Sequence, residues 1–214
     1  MRGLLVTGTD TGVGKTVVAA LLCRSRPGCT YVKPVQTGLA EEEPDATVVA
    51  RLAGCPTRQG PGFAEALAPA VAAARAGATV MRGDLLGVFS GLDEIIGEGA
   101  GGLLVELGTD GTTLADLAAD LGLPLVVVAR PGLGTLNHTR LTCEAAWARG
   151  LSVRGIVVNR YPADPGVVER TNLDELASMA PVLAVVPELG SADLSASLSE
   201  HGAAGSMLIR LRSV

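Results

Sequence analysis

The chain is poor in several residue types, and each shortage removes a class of protein. Aromatic residues make up only 2% of its 214 residues against 48% hydrophobic. The interior must therefore be built from Ala, Val and Leu, as in parallel sheets covered by helices. A basic surplus is also missing: the formal charge is -5 and the pI near 5.1, which offers nothing to a nucleic-acid backbone or an anionic membrane. No apolar run approaches the roughly 20 residues that span a bilayer, and Leu4-Leu5-Val6 stops at Thr7-Gly8 before a signal segment forms. A soluble, cytoplasmic protein is expected. Cys23, Cys29, Cys55 and Cys143 lack paired metal-ligand spacing. Reduced cytosolic thiols are the favoured reading, with a Cys23–Cys29 bridge as the alternative.

What remains is an alternation of short β-branched runs with longer Ala/Leu segments of helical period. Strands are expected at 4–7, 30–33, 94–97, 125–129, 156–159 and 183–186. Helices are expected at 16–24, 46–53, 64–76, 82–92, 114–121, 136–148 and 167–179. This order predicts one α/β domain over 1–214, of the P-loop NTPase kind, with a mostly parallel sheet and helices on both faces. Ligands should then gather at the carboxyl edge of the sheet.

At that edge stands Val6-Thr7-Gly8-Thr9-Asp10-Thr11-Gly12-Val13-Gly14-Lys15-Thr16, between a predicted strand and a predicted helix. Such a loop turns backbone N–H groups onto phosphate oxygens, and the helix that follows adds the positive end of its dipole. Gly12, Val13, Gly14, Lys15, Thr16 and Val17 are the candidate nucleotide-binding residues. Lys15 suits the β- and γ-phosphates, and the Thr16 hydroxyl suits Mg²⁺. Thr9 occupies the place where the strict motif has its first glycine, so this is a variant. Lys15 and Lys33 are the only lysines among 17 basic residues, and both follow predicted strands at the same edge.

The loop taken with Tyr31-Val32-Lys33-Pro34-Val35-Gln36-Thr37-Gly38 resembles the dethiobiotin synthetases. Glu98-Gly99-Ala100-Gly101-Gly102 and Gly132-Leu133-Gly134-Thr135-Leu136-Asn137-His138 agree, as do Asn159 and Val186-Pro187-Glu188-Leu189. The resemblance implies a ligase of biotin biosynthesis that joins CO₂ to 7,8-diaminononanoate using ATP and Mg²⁺. A carbamate is phosphorylated to a carbamic–phosphoric anhydride, which the second amine attacks to close the ureido ring. It further implies Lys15, Lys33 and Thr11 in catalysis, and Thr16, Asp45 and Glu98 around the metal. Asn159, Pro187 and Glu188 border the nucleotide base. Lys33, Thr37, Gly134, Thr135, Leu136 and Asn137 receive the substrate, its carboxylate bound across a homodimer interface.

Several features stand apart from that pattern. Asp45 follows Pro44 and serves equally well as a helix cap. Gly97 is an unusual strand residue, and the stretch from Val17 to Cys29 is short for the family. Arg130-Pro131 has no assigned role, and His138 is read as a structural helix-terminus residue. The phosphate loop by itself also resembles dimeric ATPase switches that partition chromosomes or position septa. Those carry a signature lysine where this chain has Asp10. Amidating synthetases of corrin biosynthesis share the loop but append a glutaminase domain.

Overall fold

The computed structural model describes residues 1–188. Its strands are β1 (Arg2–Gly8), β2 (Thr30–Lys33), β3 (Thr57–Gln59), β4 (Glu94–Gly102), β5 (Leu125–Ala129), β6 (Val153–Tyr161) and β7 (Val182–Pro187). They form one sheet in the order β3-β2-β4-β1-β5-β6-β7. Every pairing is parallel. The helices are α1 (Lys15–Arg24), α2 (Asp45–Ala53), α3 (Pro69–Arg75), α4 (Arg82–Gly87), α5 (Leu114–Leu121), α6 (Thr135–Trp147) and α7 (Val167–Met179).

Strand side chains alternate between the two faces, and both faces are apolar because both are covered. Leu4, Val6, Ile96, Val126 and Val128 pack beneath α1 and α2. Their neighbours Leu5, Ile95 and Leu125 point the other way, toward α3, α4 and α5. Val127, Ile156 and Val158 meet α6 and α7 on that second side. Among the described residues no helix is long and apolar enough to cross a membrane.

The structure departs from the sequence reading in four elements. β3, with sequence TRQ, was not expected, since a three-residue polar edge strand has no hydrophobic period to announce it. The helix expected over 64–76 begins only at Pro69, which fits the first helical turn and disfavours helical backbone in the residue before it. The helix expected over 82–92 stops at Gly87, and Phe89 and Ser90 continue in tight turns on Leu86 and Gly87. β4 runs on to Gly102, five residues past its expected end. Gly97 has a packing reason, since an added Cβ would sit 2.5 Å from Leu5 Cδ2 and 3.1 Å from Phe89 Cε1.

Candidate active site

The loop between β1 and α1 is held from two sides. The Lys15 ammonium donates back to the Asp10 carbonyl at 3.1 Å. From β6, the Asn159 amide donates to the Val13 carbonyl at 2.8 Å. Gly14, the N-cap of α1, has φ 90, and an added Cβ there would lie 2.0 Å from Asn159 Nδ2. Only glycine tolerates both the left-handed backbone and that approach. Thr11 and Gly12 are exposed at the loop's crest, Val13 is buried beneath it, and Val17 is half-buried on α1. The Thr11 N–H is held by Asp10 Oδ1 at 2.7 Å. The other Asp10 oxygen accepts from Arg130, so the residue without an assigned role is an ion-pair partner of the phosphate loop.

Beside the loop, four side chains from four elements converge. The register pairs Val32 with Gly97, which brings Lys33 of β2 level with Glu98 of β4. Lys33 Nζ donates to Glu98 Oε1 at 3.0 Å and to the Gly99 carbonyl at 3.0 Å. It also lies 2.6 Å from Asp45 Oδ2 at the start of α2. The Thr16 hydroxyl, on the first turn of α1, lies 3.0 Å from both Asp45 Oδ1 and Glu98 Oε1. All of this is deep: Lys15, Lys33 and Glu98 are 7%, 3% and 1% exposed.

Asp45 is not a cap. The N-cap of α2 is Pro44, with no side-chain cap bond, and the Asp45 carboxylate turns to Lys33 and Thr16. Its N–H is met by Gln36 Oε1 at 3.4 Å.

The charges around the cluster set its protonation. Burial works against the Lys33 ammonium, but the facing Glu98 and Asp45 carboxylates outweigh it and raise its pKa above the ordinary lysine value. Lys15 goes the other way, chiefly through burial, which Glu98 opposes and the nearby Lys33 ammonium reinforces. Lys33 and the hydroxyl of Thr16, the residue after Lys15, meet the same Glu98 oxygen.

Two contributors escaped the sequence reading. Tyr31 is fully buried and donates its hydroxyl to Glu98 Oε2 at 2.7 Å. Burial first, then Glu98, holds its pKa well above the usual phenol value. The signal was its position two residues before Lys33, on the same strand face. Gln36 is the other; it stands in the same motif block as Lys33 but had no role assigned to it.

The remaining expected residues lie along the same carboxyl edge but outside the cluster. Thr37 is half-buried after β2. Gly134 is the N-cap of α6, Thr135 is buried with its hydroxyl unpartnered, Leu136 is half-buried and Asn137 exposed. His138 is exposed on the first turns of that helix. Pro187 ends β7, and the Glu188 N–H is bound to the Tyr161 carbonyl at 2.9 Å. Leu189 of the terminal motif lies outside the described residues. Arg160, beside Asn159, has φ 58, the one non-glycine left-handed backbone among the described residues.

A strand, a glycine-rich turn and a helix opening on Lys15-Thr16, with a carboxylate on the adjoining strand, make this a P-loop protein of the nucleoside-triphosphate-binding class. The model of a family described as an AAA domain matches residues 2–195. An ATP-dependent dethiobiotin synthetase of Mycobacterium avium is 49% identical over 215 residues, covering 96% of this chain and 95% of that one. One from Mycolicibacterium vanbaalenii is 48% identical over 207 residues, covering 90% and 92%. The chain belongs to the dethiobiotin synthetase family. The septum site-determining protein MinD of Pyrococcus horikoshii, solved with Mg-ADP, is similar at TM-score 0.53 and 18% identity over 88% of this chain and 82% of that one. That likeness shows the fold alone.

Proposed function

We propose that the chain is an ATP-driven ligase that forms the cyclic urea of dethiobiotin from 7,8-diaminononanoate and CO₂. The observation that carries this reading is the convergence of Lys33, Glu98 and Asp45 on Thr16, the residue that follows Lys15 in the phosphate loop. The reaction must bring a carbamate oxygen to the γ-phosphorus of ATP, two anions that repel. At about 4 Å and an effective dielectric of about 20, one opposite charge offsets roughly 4 kcal/mol of that repulsion. Lys15 and Lys33 supply two such charges, fixed in place before the substrates arrive.

The carbamate oxygen bonds to phosphorus as ADP leaves, giving the mixed anhydride. The second amine then bonds to the carbamate carbon, the bond from that carbon to the phosphate oxygen breaks, phosphate leaves with the electron pair, and the amine gives up a proton. In this reading Thr11 and Thr37 hydrogen-bond the phosphate and carbamate, and Gly12 to Val17 wrap the triphosphate. Asn159, Pro187 and Glu188 border the base.

The residues fit Mg²⁺. Thr16, Asp45 and Glu98 present hard oxygen donors around one point, 3.0 Å from hydroxyl to each carboxylate. Mg²⁺ favours such ligands and retains waters, so it needs few protein groups. Bound there, it adds positive charge at the β- and γ-phosphates.

Gly134, Thr135, Leu136 and Asn137 receive the substrate carboxylate. Support comes from the Leu136 and Asn137 N–H groups in the first turn of a 13-residue helix and from the buried Thr135 hydroxyl that has no partner. The same reading makes the protein a cytoplasmic homodimer of single-domain chains, with that helix end serving the active site of the partner subunit.

The test is to incubate the protein with diaminononanoate, bicarbonate, ATP and MgCl₂, omitting each in turn. Dethiobiotin should form only in the complete mixture. ATP hydrolysis that ignores the diamine and responds to DNA or lipid would replace this reading with that of a switch ATPase.

A further inference from the structure

Tyr31 is a buried polar side chain to which the proposed reaction gives no task. It is among the largest side chains wholly removed from solvent, and its ring lies in the apolar cluster beneath α1 and α2 with Leu4, Val6 and Ile96. A phenylalanine ring would fill that place equally well. What the hydroxyl adds is the 2.7 Å bond to Glu98 Oε2.

The sheet brings the two together. Tyr31 and Lys33 are two residues apart on β2 and so share a face. The register sets Tyr31 beside Ile96 and Val32 beside Gly97, and Glu98 shares the face of Ile96 on β4. Two donors from one strand therefore reach one carboxylate on the next.

That carboxylate is held at both oxygens. Oε1 accepts from Lys33 Nζ and from the Thr16 hydroxyl, each at 3.0 Å, while Oε2 accepts from Tyr31. The last torsion of a glutamate is broad and two-fold, so no rotamer preference sets the plane of its head group. Bonds at one oxygen alone would leave the head free to swing about it. The bond at the second oxygen stops that motion.

We infer that Tyr31 is a positioning residue, whose hydroxyl holds Glu98 by Oε2 so that a single oxygen, Oε1, is presented beside Thr16. The inference rests on the reading of Glu98 as a metal ligand and deepens it: the site offers Mg²⁺ one glutamate oxygen, not two. Mg²⁺ demands near-octahedral geometry, which the narrow bite of two oxygens on one carbon distorts. Tyr31 acts through Glu98, as groups that orient metal ligands do.

Tyr31→Phe keeps the ring and removes the hydroxyl. Binding of the non-hydrolysable β,γ-imido analogue of ATP is measured by titration calorimetry with MgCl₂ and again with EDTA, so that no turnover is involved. In the wild type MgCl₂ should tighten binding. In Tyr31→Phe the affinity in EDTA should be unchanged, while the tightening by MgCl₂ should shrink by roughly tenfold, or vanish where the wild-type gain is smaller than that. Thr113→Ala, which loses the cap of α5, should bind as the wild type does under both conditions and so separates positioning from lost stability. A full gain in Tyr31→Phe would overturn the inference and leave Glu98 a metal ligand. An equal loss with and without metal, or the same loss in Thr113→Ala, would overturn it too. No gain in the wild type would remove both the inference and the metal site beneath it.

Discussion

Lys33 Nζ, at the end of β2, and Glu98 Oε1, midway along the adjacent parallel β4, lie 3.0 Å apart, both almost wholly buried. A buried pair of this kind is costly to desolvate and is weak as a stabilising device. Here the lysine spends its three N–H groups on Glu98, Asp45 and the Gly99 carbonyl. In the proposed reaction this arrangement fixes an ammonium where negative charge accumulates.

Replacing Lys33 with Arg keeps the charge but exchanges a compact ammonium for a planar fork. Its three bonds converge from three directions, a geometry that guanidinium does not reproduce. The turnover number in the dethiobiotin assay should fall by about 10²-fold, the cost of losing one charge-stabilising donor. Near-normal turnover would remove Lys33 from the reaction.

Tyr31→Phe leaves the buried ring in place and deletes the donor to Glu98 Oε2. A buried carboxylate oxygen without a partner should cost about 1–3 kcal/mol. Urea unfolding measures this, and an unchanged midpoint and slope would show that the hydroxyl contributes nothing.

If Asp45 serves the metal, Asp45→Asn should raise the Mg²⁺ concentration needed for half-maximal activity by at least roughly tenfold. An unaltered Mg²⁺ dependence would remove Asp45 from the metal.

Gly97→Ala drives a methyl group into Leu5 and Phe89. Overpacking of this kind should destabilise the fold by about 1–3 kcal/mol. Thermal unfolding reads it, and a stable variant would mean that the two side chains give way without cost.

Thr113 caps α5, accepting from the Asp116 N–H at 3.3 Å while Asp116 Oδ2 takes both the Thr113 N–H and hydroxyl. Thr113→Ala should cost about 1 kcal/mol. Burial opposes ionisation of Asp116, but the Thr113 bonds prevail and hold its carboxyl below the ordinary aspartate value. The carboxylate's contribution is therefore full above the ordinary aspartate pKa and is lost as pH falls through the lower folded value. The stability gap between wild type and Asp116→Asn should close over that acid range. A gap that stayed constant with pH would separate it from ionisation.

The sheet's interior strands were readable because Val and Leu runs buried on both faces contrast sharply with the turns between them. β3 was not, since Thr57, Arg58 and Gln59 pair by backbone alone at the sheet's edge. Lys15, Lys33 and Glu98 stood out by residue type at strand ends. Tyr31 shares the strand face of Lys33, but the sequence shows no partner for its hydroxyl. Its hydroxyl acquires meaning only once β2 and β4 are neighbours. Arg130 and Asp10 are 120 residues apart, and only the adjacency of β1 and β5 joins them.

The central claim is that a carbamate oxygen, held beside Lys33, attacks phosphorus. A single turnover with diaminononanoate, ATP and freshly dissolved oxygen-18 carbon dioxide tests it, provided that the phosphate is analysed by mass before the label exchanges with water. The account predicts one heavy oxygen in each phosphate released, carried over from CO₂ when the ring closes and the C–O bond breaks. Phosphate free of label would mean that water attacked the nucleotide, and would contradict the account.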